Sequence, residues 1–150
     1  KGMRSGTENV AAIVGFGKAM ELVEKMKEKE VKRLRQIQTS FLSQLQKQSI
    51  GVVNGPQCID ERLPNNLNIH IPNIEAETLI LYLDAVGIEC SAGSACSTDS
   101  YGSSHVLQAI GLSKQEAKEC VRFTMGRSTT KQDVAKTAKE LQKILRLLKK

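Results

Sequence analysis

The sequence has no tryptophan, and aromatic residues make up only 3% of its 150 positions. Its core must therefore be built from Leu, Ile, Val and Met. The net charge is +6, but there is no aromatic set on which bases could stack and no recognisable nucleic-acid module. Nucleic acid is not an expected partner. Much of the positive charge falls near the C-terminus, where Lys139, Lys143, Arg146, Lys149 and Lys150 outnumber Glu140 and read as a solvated helix face. No apolar run approaches the roughly 18 residues of a membrane span, and no signal peptide is visible in a chain that opens at Lys1. A cytoplasmic location without membrane attachment is expected. The four cysteines, Cys58, Cys90, Cys96 and Cys120, form no CxxC pairs, which argues against a disulfide scaffold and for reduced thiols. Together with His70 and His105 they fit no regular zinc spacing, so no metal site is expected.

What is present has ordinary globular proportions, with 40% hydrophobic and 25% charged residues. A chain of this length buries about 68–70% of its unfolded surface, enough for one real core. Apolar residues from Val10 to Leu45 recur at three- and four-residue steps, predicting a long helix that ends near Gly51 and bends around Gly15 and Gly17. Glu21/Lys25 and Glu28/Lys32 are expected to pair along its outer face. Ser5-Gly6-Thr7 just before this helix admits two readings: Thr7 caps it, or the segment with Arg4 forms an anion site. Val52-Val53 followed by Asn54-Gly55-Pro56 reads as a strand and turn.

Leu67, Ile69 and Ile71 alternate with Asn66, Asn68 and His70 as a half-buried strand, with His70 on the polar face. Glu75 to Val86 is predicted helical, with Leu79, Ile80, Leu83 and Val86 inward and Gly87 as the stop. A strand is expected at Ile88 to Cys90, then a loop over 91–103. Ser103 or Ser104 caps a helix stopping at Gly111, and Ser113 with Glu116 forms a capping box for the next. In 121–125, Val121, Phe123 and Met125 turn to one face, Arg122 and Thr124 to the other. Thr130 and Asp133 open the last helix, whose seam is Val134, Ala138, Leu141, Leu145 and Leu148.

The chemistry concentrates in Ser91-Ala92-Gly93-Ser94-Ala95-Cys96-Ser97-Thr98-Asp99-Ser100. Small polar residues surround one cysteine there, with no large apolar side chain to anchor the segment. A structural cysteine sits among packing neighbours, whereas a thiol on such a stretch is useful for its reactivity. Cys96 is thus a candidate nucleophile or sulfur carrier. No Lys, Arg or His adjoins it within the stretch, so activation must come from elsewhere.

Ser94-Ala95-Cys96-Ser97, with Arg4-Ser5-Gly6-Thr7 upstream and Val121-Arg122-Phe123-Thr124-Met125-Gly126-Arg127 downstream, resembles the pyridoxal-phosphate-dependent cysteine desulfurases of the class V aminotransferase group. The three motifs occur in the family's order and span nearly the whole chain, which matches only the C-terminal part of such an enzyme. The resemblance implies an α+β fold, the small C-terminal domain of an aspartate aminotransferase-like enzyme. Its small sheet is covered by helices, with long helices at both ends. Residues 1–50 would form a long linking helix and residues 51–150 the small domain that carries the cysteine loop.

It also implies that Cys96 accepts sulfur from L-cysteine as a persulfide, leaving L-alanine, and passes it to a partner protein for iron–sulfur cluster assembly or thiolation. Arg122 would hold the substrate carboxylate, which suits a planar guanidinium. Thr7 would contact the pyridoxal 5'-phosphate of a neighbouring subunit, implying a homodimer. Three departures stand out. Gly102-Ser103 replaces a proline often found at the loop's end, Cys90 takes a small or apolar position, and no stretch matches the Schiff-base lysine motif. The isolated chain is expected to be inactive for that reason, with the upstream lysine-bearing domain absent from it. Two other functions compete: selenocysteine lyase, and a non-enzymatic sulfur- or metal-binding interaction module.

Overall fold

The computed structural model describes residues 5–92 and 104–149. The chain forms two compact units, residues 1–33 and 34–150. The first holds most of helix α1, Val10–Lys47, which runs unbroken through Gly15 and Gly17. Thr7 does not cap it. Asn9 does, its Oδ1 accepting from Ala12 N at 3.0 Å. Glu21 pairs with Lys25 at 2.6 Å as the spacing predicts, and also with Lys18 at 2.9 Å. Glu28 and Lys32, expected to pair, do not do so among the described residues; Lys27 turns to Glu24 and Arg33 to Glu30 instead. Val10, Ile13, Val14, Phe16, Met20 and Val23 are exposed along this part of the helix.

The second unit is built on a four-stranded antiparallel sheet in the order β1-β2-β4-β3. Its strands are β1 Val52–Val53, β2 Asn66–His70, β3 Ser91–Ala92 and β4 Cys120–Thr124. The central pair aligns Asn66 with Thr124, Asn68 with Arg122 and His70 with Cys120. Period-two alternation then sends Leu67, Ile69, Val121 and Phe123 to the buried face. Against that face lie Leu34, Ile37, Phe41 and Leu45 from the last turns of α1, α2 Ala76–Asp84, and α5 Lys131–Leu148. Phe41 and Phe123 meet edge to face, with ring centroids 5.5 Å apart.

The α5 seam is the expected one except that Leu148 is only partly buried, with Thr137 and Ile144 joining it inside. Thr130 and Asp133 close a capping box at its start, as Ser113 and Glu116 do for α4 Lys114–Lys118. Helix α3, His105–Ala109, is capped by Ser104. Leu107, Ala117 and Cys120 form a second, smaller apolar cluster.

Two local expectations need correction. The strand falls at Ser91–Ala92, not at Ile88–Cys90, because pairing is dictated by Val121 and Arg122 of β4. Ile88 instead closes the end of α2, its N–H donating to Leu83 O at 3.0 Å just after Gly87, whose φ is +72°. Val86, expected inward, is exposed.

Candidate active site

The polar face of the sheet carries the site. Asn66, Asn68 and His70 on β2 and Arg122 on β4 project there, because their neighbours Leu67, Ile69, Val121 and Phe123 take the apolar side. With Asn54, Arg62, Ser104 and Leu107, residues from this face line a cleft of about 300 Å³. Arg62 folds the turn back on itself, donating to Asn54 O at 2.6 Å and to Pro56 O. Asn54 Nδ2 in turn donates to Asn68 Oδ1 at 2.6 Å.

Arg122 sits between Asn68 of β2 and Ser91 of β3, its register partners on either side. Its Nη2 donates to Ser91 Oγ at 3.0 Å, the one hydrogen bond of its side chain among the described residues. Its Nε is buried with no hydrogen-bond partner among the described residues. A cation held by a neutral hydroxyl in a cleft keeps its charge available. The guanidinium fork suits a carboxylate, which it can grip through two parallel hydrogen bonds.

Two cysteines of the site region are poorly suited to act as nucleophiles. Cys90 packs against the core, and burial with Asp84 nearby pushes its thiol up to about 11. Burial also raises Cys120, whose Sγ donates to Glu116 O at 3.1 Å. Both stay protonated near neutral pH, and the thiol is the unreactive form. Cys58 is exposed, and Cys96 lies outside the described residues.

Thr7 belongs to the other unit. Because Asn9 takes the cap, the Thr7 hydroxyl makes no hydrogen bond among the described residues. Gly6 beside it has φ +94° and open space where a side chain would stand. A small, uncommitted hydroxyl next to an open glycine fits a phosphate ester. Among the described residues, no three His, Cys, Asp or Glu side chains could hold a metal ion, and no helix is long and apolar enough to cross a membrane.

The sequence singled out Arg122 but not its tether, Ser91, nor the Asn54, Arg62 and Asn66 wall of the cleft. The only local signal was alternation, which places Asn66 and Asn68 on the polar face. His70 falls on that face as expected, and its partner Glu119, 3.0 Å away, was not foreseen.

A small α+β unit with an antiparallel sheet flanked by helices and a long helix at each end is the small-domain architecture of aminotransferase-like proteins. The chain belongs to the family described as Aminotransferase class-V, which matches residues 1–137. It is 43% identical over 147 residues to a protein of Dictyoglomus turgidum named cysteine desulfurase IscS, covering 97% of this chain and 37% of that protein. A protein of Archaeoglobus fulgidus named cysteine desulfurase IscS 1 is 42% identical over 149 residues, covering 99% of this chain and 38% of the relative. The X-ray structure of a NifS-like protein from Rickettsia africae superposes with a TM-score of 0.81 at 29% identity, over 95% of this chain and 36% of that one. The chain thus spans a little over a third of the length of these relatives.

Proposed function

We propose that this chain supplies the sulfur-accepting cysteine and the substrate-carboxylate arginine of a pyridoxal-phosphate-dependent cysteine desulfurase. The observation that carries the reading is Arg122. It lies in a cleft, bound only to a neutral hydroxyl among the described residues, on the strand next to the one that leads into the cysteine stretch.

Arg122 grips the carboxylate of L-cysteine and so fixes where the substrate sulfur lies. Cys96 approaches as the thiolate, and its sulfur bonds to the substrate sulfur as the substrate's Cβ–S bond breaks. The balance is one Cys96 thiol plus one L-cysteine giving one Cys96 persulfide plus one L-alanine. Pyridoxal 5'-phosphate, when bound, supplies the electron sink that makes the Cβ–S bond breakable, and Thr7 is the residue of this chain that would hold its phosphate, in a homodimer. The persulfide then leaves for an acceptor or scaffold protein in iron–sulfur cluster assembly or thiolation, in a cytoplasmic setting.

The test mixes the full-length protein with L-cysteine, then maps the persulfide by mass spectrometry with an alkylating trap. Sulfur on the peptide holding Cys96, with one alanine formed per sulfur, supports the reading. Alanine formation with no sulfur ever trapped on that peptide overturns it.

A further inference from the structure

We infer that Ser91 is a positioning residue for Arg122, fixing the guanidinium in the orientation that receives the substrate carboxylate. The inference rests on the carboxylate reading of Arg122 proposed above. Ser91 and Arg122 are directly opposed in the β3–β4 ladder, so their side chains leave the sheet on the same face. Arginine has a long, flexible side chain, and an untethered guanidinium would sample many positions in a cleft of this size. Here Nη2 is held on Ser91 Oγ at 3.0 Å. Two other polar side chains of the cleft bond elsewhere: Asn68 Oδ1 accepts from Asn54, and Arg62 donates to the carbonyls of Asn54 and Pro56.

The chemistry of the tether matters as much as its position. A carboxylate at residue 91 would hold the guanidinium more tightly, but it would also neutralise the charge that the substrate needs. A hydroxyl orients the group and leaves its charge intact. Removing the hydroxyl and replacing it by a carboxylate should therefore both weaken capture, for opposite reasons.

The experiment measures kcat and KM for L-cysteine by alanine formation in the full-length, cofactor-loaded protein. Ser91→Ala should raise KM about tenfold with kcat within about twofold of the parent, and Ser91→Thr should restore KM. Ser91→Asp should raise KM further than Ser91→Ala. In an Arg122→Ala background, Ser91→Ala should add nothing, since the two residues act as one unit. A parental KM in Ser91→Ala, or effects of Ser91→Ala and Arg122→Ala that multiply, overturns the positioning role and leaves the carboxylate assignment standing. A parental KM in Arg122→Ala overturns the carboxylate assignment itself, and the inference with it. If Ser91→Ala does not fold, the Thr and Asp variants decide: equal KM values for those two overturn the role, and a raised value confined to Asp supports it.

Discussion

Removing the sulfur atom of Cys96 should abolish transfer while leaving the protein folded. In the full-length protein, Cys96→Ala should cut sulfur delivery to an acceptor at least a hundredfold and shift stability by no more than about 0.5 kcal/mol, as a substitution among small polar residues. Sulfur delivery at the parental rate would refute it. Cys90 and Cys120 cannot stand in, because burial holds both as neutral thiols. Arg122→Ala should raise KM for L-cysteine by one to two orders of magnitude, from a lost charge-assisted pair of about 1.5–3 kcal/mol. A third residue-scale prediction concerns acid. Gln115 and His70 hydrogen-bond the Glu119 carboxylate, and they hold its pKa below the ordinary glutamate value. A depressed carboxylate contributes stability that is complete above the unfolded pKa and is lost as pH falls through the folded one. Glu119→Gln should therefore lower the urea midpoint at pH 7 yet lose less than the parent between pH 5 and pH 3, a window set by the ordinary carboxylate range of about 4. Parallel pH curves for the two proteins would show that the contact carries no charge-dependent stability.

At the scale of elements, the legible parts were those written in nearby residues. Alternation from Asn66 to Ile71 and from Val121 to Met125 was readable because each strand buries one face. Both capping boxes could be read from residues three apart. What was hidden depends on residues far apart in sequence. Ser91 meets Arg122 across 31 positions and His70 meets Glu119 across 49. Gln38 looks like a surface residue of an amphipathic helix, yet it is buried, donating to Leu63 O at 2.8 Å and Asn66 O at 3.1 Å. β3 was misplaced by a few residues because its position is set by β4, not by its own composition. The chain turn after α1 gives an element-scale prediction. Gly51 has φ +56°, and a side chain there would stand 2.5 Å from the carbonyl oxygen of His70. Gly51→Ala should destabilise the protein by at least about 1–3 kcal/mol, read as a lowered urea midpoint. Thr130→Ala, which removes the α5 cap, should cost about 1 kcal/mol by the same measurement.

For the molecule as a whole, this chain covers 37% and 38% of the two cysteine desulfurase relatives described above. A Schiff-base lysine motif is not expected within that share. The 150-residue polypeptide, incubated with pyridoxal 5'-phosphate and L-cysteine, should yield no more alanine than the free cofactor does. Catalytic turnover by that polypeptide would refute this. The sheet's outer strands bear on a different property. Among the described residues, β1 and β3 are each two residues long, flanking two central strands of five. A long, flat edge is a template on which another chain can add by backbone pairing, the first step toward fibrils. Edges this short offer a stranger almost no register to hold. Among the described residues neither edge strand carries a charge or a proline, so it is brevity that limits pairing with another sheet there.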